Sequence, residues 1–136
     1  GLISMGVSFT TGDVLGISGV GPGAVGFYKE GAKRWRTLSL ARADEAGAKD
    51  VLATLKKVDG AKALKGATFE GLSFQRRDDD SSPKIGWMVC RKGAQVFGVG
   101  DEEHVLTGAM AAADAQKVSL SEAEKSERLK ALCEGK

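Results

Sequence analysis

Two stretches of the chain share a pattern of a short apolar strand, a tight turn and a second strand. In the first, Val25-Gly26-Phe27 precedes Lys29-Glu30-Gly31-Ala32. In the second, Ile85-Gly86-Trp87 precedes Arg91-Lys92-Gly93-Ala94. The glycine in each turn supplies the positive φ that a tight hairpin needs. The pattern therefore predicts two β-hairpins.

Helical periodicity follows each hairpin. After the first, apolar residues recur at i, i+3, i+4 and i+7 between residues 48 and 58, behind Asp44 as the N-cap. A helix is therefore predicted from Asp44 to about residue 57. After the second, an alanine-rich stretch that begins with Asp101 predicts a weaker helix over residues 101–113.

A further helix is predicted to end at Cys133. Ser121 and Glu124 have the spacing of a capping box, in which each side chain bonds the backbone N–H of the other residue. The apolar stripe of this helix is narrow and consists of Leu129, Leu132 and Cys133. We therefore expect the helix to pack at the periphery of the domain.

Shorter apolar runs supply the remaining strands. Residues 2–9 form either a first strand or a loose segment, residues 14–17 form a short strand, and residues 67–76 alternate in polarity. The element order is then β-β-β-α-β-β-β-α with a final helix. This order predicts an α+β fold with an antiparallel sheet from a duplicated β-β-β-α unit, helices packed on one face, and a C-terminal helix.

The predicted domain spans residues 1–136, since chains of this length usually form one domain. Its two pseudo-repeats cover about residues 14–60 and 67–114, and the C-terminal helix covers about 121–133. Hydrophobic residues make up 42% of the chain and charged residues 28%, which is typical of a soluble globular protein. No stretch is long and apolar enough to predict a transmembrane segment.

The returning strand of the first hairpin changes its hydrophobic parity. Trp35 alternates with Arg34 and Arg36, whereas Leu38 and Leu40 point the other way in a regular strand. Either a β-bulge interrupts this strand, or both of its faces are covered.

Basic residues near the hairpins are the strongest indication of an interaction surface. If their strands are neighbours, the basic side chains and Trp35 share one exposed sheet face, on which a nucleic-acid base can stack. The net charge of only +2 favours the opposing interpretation, an ordinary hairpin with charged outer residues and a half-covered Trp35. The predicted partner-binding residues are Arg34, Trp35, Arg36, Arg76, Arg77 and Arg91.

Motifs for cofactors and metals are weak. Residues 21–26 match GxGxxG, but a strand follows them where a dinucleotide site needs a helix. Residues 78–80 are three aspartates without the ligand order of an EF-hand. We therefore predict no catalytic residue, cofactor or metal site. One enzymatic alternative pairs Cys90 as nucleophile with His104, the single histidine, as base.

The two cysteines, Cys90 and Cys133, bear on the location of the protein. A disulfide between them would indicate a secreted or periplasmic protein, whereas two free thiols would leave the cytoplasm open. The sequence does not decide between these states, so it leaves the location unknown.

The leading expectation is a non-catalytic binding or protein-interaction domain that uses a sheet face or the groove between its two halves. A nucleic-acid-binding module with a basic and aromatic sheet face is the first alternative. A small enzyme that uses Cys90 and His104 is the second. A protein partner is thus favoured over nucleic acid, and the sequence indicates no oligomeric state.

Overall fold

The computed structural model describes residues 2–31, 33–58, 60–64, 71–76, 85–101 and 120–133. Within these residues, seven strands form one antiparallel sheet and two α-helices pack on it. This arrangement confirms the predicted α+β class. The strands are β1 (Leu2–Thr10), β2 (Gly23–Glu30), β3 (Lys33–Ala41), β4 (Lys62–Ala63), β5 (Gly71–Arg76), β6 (Ile85–Lys92) and β7 (Gln95–Asp101), and the helices are α1 (Glu45–Leu55) and α2 (Glu122–Cys133).

The two hairpins meet at the centre of the sheet, whose strand order is β1-β2-β3-β7-β6-β5-β4. β3 pairs with β7, from Trp35 opposite Asp101 to Ala41 opposite Gln95. The sheet thus contains two three-stranded meanders, β1-β2-β3 and β5-β6-β7, side by side. Duplication would produce this arrangement, but the two pseudo-repeats stay a prediction because residues 102–113 of the expected second helix lie outside the described residues.

Both predicted hairpin turns are confirmed. Gly31 and Gly93 each have φ of +59°, the left-handed conformation that favours glycine. The apolar run at residues 2–9 forms a strand, β1, rather than a loose segment. A register shift between Ser4 and Gly6 marks a bulge in this strand.

The prediction of a strand at residues 14–17 is wrong, because this segment belongs to a hydrogen-bonded loop. Its backbone forms a 3₁₀ turn over Val14–Gly16. The Val14 N–H donates to the Gly21 carbonyl, and the Gly21 N–H donates to Asp13 Oδ1. The donor–acceptor distance is 2.8 Å in both hydrogen bonds. These bonds close the loop locally, and Val14 is fully buried.

Asp101, at which the second helix was expected to begin, is the last residue of β7, and the remaining residues of that predicted helix lie outside the described residues. It lies opposite Trp35 on β3, and its carbonyl accepts a 2.8 Å hydrogen bond from Arg36 Nε.

One face of the sheet is covered by α1, as its periodicity predicted. Asp44 caps this helix, because its Oδ1 accepts a 2.8 Å hydrogen bond from the Gly47 N–H. Four residues of the helix are buried: Ala48, Val51, Leu52 and Leu55. They belong to one apolar cluster with Leu38 and Leu40 of β3 and with strand residues of both meanders.

The parity change in β3 reflects coverage of both faces. Trp35 belongs to a second apolar cluster with Leu129 and Cys133 of α2, whereas Leu38 and Leu40 face α1. The register of β3 with β2 and with β7 is continuous, so there is no bulge at this position. The second of the two interpretations is therefore correct.

The C-terminal helix begins at the predicted capping box. The Ser121 N–H donates to Glu124 Oε1 at a distance of 3.0 Å, and the Glu124 N–H donates to Ser121 Oγ at a distance of 3.2 Å. The expectation of peripheral packing is wrong, because Leu129 is fully buried against the sheet. A disulfide between Cys90 of β6 and Cys133, with Cα atoms 6.4 Å apart, fastens the helix there.

Candidate functional site

An open groove lies between α2 and the sheet face formed by β2, β3 and β7. Its volume is about 420 Å³. Ligand pockets in proteins typically have volumes of about 300–1,000 Å³. The residues that shape it include Tyr28, Trp35, Ser39, Phe97, Arg128 and Leu132.

Two stacked aromatic rings are part of the groove lining. Tyr28 and Trp35 face each other across the first hairpin, with ring centroids 6.2 Å apart and planes 19° apart. Gly26 makes room for the tyrosine, because a Cβ at this position would lie 2.8 Å from Tyr28 Cε2. The stacking of Tyr28 on Trp35 therefore depends on a glycine two residues before Tyr28 on the same strand.

Arg128 of α2 covers the indole of Trp35. Its Cζ lies 4.0 Å from the Trp35 ring centroid, a cation–π distance. Its Nη2 also forms a 2.8 Å ion pair with Glu30 Oε1 at the end of β2. A second ion pair links β3 to the start of the same helix. It joins Lys33 Nζ to Glu124 Oε1 at a distance of 3.4 Å.

The other side of the groove consists of small or apolar side chains. Thr37 and Ser39 of β3 contribute hydroxyl groups, Phe97 of β7 is partly buried, and Leu132 is 36% exposed. Arg128 is the one ionisable group besides the Tyr28 phenol among the described residues that line the groove. This composition is suited to holding apolar groups rather than to moving protons.

Two exposed apolar side chains lie on the same face, beyond the groove. Phe9 of β1 is opposite Ala24 of β2, which is opposite Ser39 of β3. Phe9 is thus two strands, or about 10 Å, from a residue that lines the groove. It is 81% exposed, and Val7, on the same face of β1, is 52% exposed.

Trp35, the centre of the predicted partner-binding set, is only 3% exposed. Its neighbours Arg34 and Arg36 point to the opposite face by strand alternation. Arg36 lies with its Cζ 5.1 Å from the ring centroid of Trp87, which is itself buried. Trp35 and these arginines therefore do not share one face.

The remaining predicted residues lie apart from this pair. Arg91 is at the other end of β6, where its Nη1 forms a 3.0 Å ion pair with Glu45 of α1. Arg76 ends β5 and lies opposite Ile85, while Arg77 lies outside the described residues. The structure thus brings together only Arg34 and Arg36, which lie next to Lys29 of β2.

A buried ion pair beside the start of α2 was not predicted. Lys125 Nζ lies 2.9 Å from Asp101 Oδ1 and 3.3 Å from the Gly86 carbonyl oxygen, to which it donates. A Cβ at Gly86 would lie 3.1 Å from this ammonium group, so glycine permits the close approach. A single sequence gives no signal for this contact, since its three residues come from β6, β7 and α2.

A second cavity, of about 670 Å³, lies next to this ion pair. Its described lining carries both signs of charge, from Lys62, Glu122 and Lys125, together with the polar side chains of Ser73 and Gln75. Lys125 is already paired with Asp101. The groove beside α2 is therefore the more apolar of the two sites and the better candidate for binding.

The enzymatic alternative loses its nucleophile when Cys90 is oxidised, because a disulfide has no thiol. His104 lies outside the described residues. Within the ranges that are described, no three His, Cys, Asp or Glu side chains are grouped as a metal site would require. No helix in this part of the chain has the length and apolar character to cross a membrane.

Sequence reasoning missed Tyr28, Phe97 and Arg128 of the groove. A signal for Tyr28 was present, because a two-residue turn between Glu30 and Lys33 places it opposite Trp35. Phe97 and Arg128 reach the site only through the β3–β7 pairing and the docking of α2. Comparison with protein-family models, with curated proteins and with solved structures finds no match to this chain.

Proposed function

We propose that the protein is a non-catalytic protein-interaction domain, which binds an apolar segment of a partner protein in the groove beside α2. One observation carries this proposal: a volume of about 420 Å³ stays open between aromatic residues of the sheet and Leu132 of the helix. Open apolar surface of this kind is typical of interaction sites.

The lining indicates what the groove binds. Tyr28, Phe97 and Leu132 suit one or two large apolar side chains, while the hydroxyls of Thr37 and Ser39 suit backbone amides of the bound segment. A short peptide with an aromatic or branched aliphatic anchor combines both features. The proposed ligand is thus a protein segment rather than a small charged metabolite.

The walls of the groove are held in place before any ligand arrives. The Cys90–Cys133 disulfide fixes the end of α2, and the ion pairs of Arg128 with Glu30 and of Glu124 with Lys33 connect the helix to the first hairpin. A preformed site spends less free energy on ordering when it binds.

Selection of peptides from a random displayed library, followed by titration, tests the proposal. Ser39 is exposed and lines the groove, so Ser39→Trp fills the groove without disturbing the buried core. Ser18→Trp is the matched control, because Ser18 is an exposed loop residue that does not line the groove. Both variants and the unchanged protein are titrated with the same selected peptide.

We expect selected peptides with a large apolar anchor, whose affinity falls at least about tenfold in Ser39→Trp, equivalent to about 1.4 kcal/mol. Ser18→Trp should bind as the unchanged protein does. Equal binding by Ser39→Trp would overturn the proposal, and so would failure to select any apolar peptide.

Nucleic-acid binding is the second candidate, and one observation favours it. Lys29, Arg34 and Arg36 lie together on neighbouring strands, on the face opposite the groove. It is the weaker candidate because Trp35, the intended stacking platform, is buried under Arg128. Nucleic-acid binding would predict an affinity for oligonucleotides that falls steeply as the salt concentration rises and that is lost in Arg34→Ser.

We also propose that the protein works in an oxidising compartment, as a secreted or periplasmic protein. The Cys90–Cys133 disulfide supports this proposal, because such bonds persist mainly outside reducing compartments. Mass spectrometry of the protein from its natural source, without reduction, tests it. A mass higher by two hydrogens, for two free thiols, would contradict it.

A further inference from the structure

Among the described residues, the outer edge of β1 carries no partner strand. In the described residues this strand pairs only with β2, and its nine residues include neither a charged side chain nor a proline. Proteins usually protect such edges with charges, prolines, bulges or very short strands, since free backbone groups recruit another strand. Of these devices, β1 carries the bulge between Ser4 and Gly6. Here the exposed side chains of Val7 and Phe9 add apolar surface to the edge.

The other end of the sheet differs. There β4 has only two residues, Lys62–Ala63, both exposed, and one of them is a lysine. β4 adds to β5, the strand that holds the place of β1 in the second meander. One meander thus carries an extra strand on its outer edge, whereas among the described residues the other meander carries none.

We infer that a second copy of this chain pairs with β1, antiparallel and edge to edge, to form a two-fold dimer. The bulge between Ser4 and Gly6 leaves residues 6–10 as the regular part of the strand. Pairing about Ser8 places Val7 of each copy opposite Phe9 of the other. Cross-strand pairs of an aromatic and a β-branched residue are favourable.

Self-pairing fits this edge better than a charged partner would. β1 contains no ionisable side chain, so two copies meet without like charges opposite each other. Among the side chains of β1 that the structure describes, the exposed apolar pair of Val7 and Phe9 lies on one face and is complementary to itself under a two-fold rotation. The same strand contributes to both sides, which is the condition for a two-fold interface.

The difference between the two sheet edges limits the assembly to a dimer. Once the two β1 strands have paired, each outer end of the joined sheet is the short, lysine-containing β4 edge. The interface is therefore closed and does not propagate into a filament. A two-fold axis perpendicular to the sheet leaves the two α2 grooves on the same face, although the dimer does not depend on ligand binding there.

Sedimentation over a range of protein concentrations tests the dimer. We expect the unchanged protein to be dimeric and Phe9→Lys to raise the dissociation constant at least about tenfold, equivalent to about 1.4 kcal/mol. Phe9 is exposed, so circular dichroism should show the variant folded. Leu132→Lys is the control, because it adds the same charge at an exposed apolar residue of the groove and should leave the dimer unchanged.

Four other outcomes would each overturn the inference that the chain forms a dimer through β1. These outcomes are a monomer at every concentration, dimerisation of Phe9→Lys like that of the unchanged protein, loss of the dimer in Leu132→Lys alone, and assemblies larger than a dimer. Unchanged peptide binding by Ser39→Trp bears only on the groove, so the two proposals fail separately.

A cysteine cross-link tests the register directly. Both natural cysteines are joined to each other, so Ser8→Cys introduces a single free thiol. Opposite residues in antiparallel strands have Cα atoms about 4.5–5.5 Å apart, within disulfide range. Mild copper-catalysed air oxidation should join two copies of Ser8→Cys through a disulfide and leave the loop variant Ser18→Cys without a covalent cross-link. Absence of this cross-link in Ser8→Cys would overturn the register about Ser8.

Discussion

Individual side chains in this protein derive their roles from distant neighbours. Lys125 lies on α2, and its partner Asp101 ends a strand that belongs to the centre of the sheet. Both side chains are largely buried, and Lys125 is the one charged residue buried among those described. A buried ion pair adds little net stability, but removal of one partner leaves the other charge without compensation.

Substitution Lys125→Met should therefore destabilise the protein by about 3 kcal/mol, measured by urea unfolding. The reason is the carboxylate of Asp101, which loses its ammonium partner 2.9 Å away. In the double variant Lys125→Met/Asp101→Asn, part of this loss should be recovered, because a neutral amide needs no counter-charge.

The exposed pair of Lys49 and Glu45 provides the control for this prediction. Its atoms lie 3.8 Å apart, and both side chains are more than half exposed. Lys49→Met should cost less than about 0.5 kcal/mol. A loss in Lys125→Met no larger than that of the control would show that the ion pair is not buried as described.

At the scale of elements, sequence signals that act over a few residues predicted the hairpins and the helix starts. The glycine turns defined both hairpins, Asp44 defined the start of α1, and the spacing of Ser121 and Glu124 defined the start of α2. Each of these signals acts within about four residues, so a single sequence contains it. The 3₁₀ turn at Val14–Gly16 was missed because hydrogen bonds around Gly21, seven residues further along, define it.

The capping box at the start of α2 predicts a pH dependence. The Ser121 backbone N–H holds the pKa of the Glu124 carboxyl below its ordinary value; desolvation opposes this shift and Lys33 supports it. A lowered pKa in the folded state means that the carboxylate form stabilises the fold. This contribution is complete above the ordinary carboxyl pKa, about 4.3, and is lost as pH falls through the lowered value.

Glu124→Gln should therefore flatten the acid side of the stability profile, measured by urea unfolding from neutral to acidic pH. Glutamine still accepts the Ser121 hydrogen bond but carries no titrating charge. Glu122→Gln removes the same charge from the same helical turn without that hydrogen bond, so it should keep the original profile. Identical acid slopes in the Glu124→Gln variant and the unchanged protein would contradict this prediction.

At the scale of the whole molecule, the sequence predicted the fold class but did not bring together the residues of the candidate groove. Hydrophobic alternation shows which residues of a strand share a face, but not which element covers that face. Trp35 illustrates this limit: its parity was read correctly, yet the helix that buries it begins more than eighty residues later. The groove exists only because β3 pairs with β7 and α2 docks across them.

The Cys90–Cys133 disulfide connects the sheet to α2, which forms one wall of the groove, across a sequence separation of 43 residues. In the chain-entropy account, closing a loop of this length is worth about 4 kcal/mol. Cys90→Ala/Cys133→Ala should therefore lose about this much in urea unfolding, and reduction of the unchanged protein should cost a similar amount. Agreement between the two separates the lost cross-link from any cavity that the alanines create.

The same variant should also change the groove itself. When α2 is less firmly held, Arg128 no longer keeps water from the indole of Trp35, so tryptophan emission should shift to longer wavelength. The selected peptide should bind more weakly, because ordering the helix then costs free energy at each binding event. Loss of stability without loss of peptide affinity would mean that α2 stays docked through Leu129 and its ion pairs alone. Weaker peptide binding together with shifted emission would make the disulfide a determinant of binding as well as of folding.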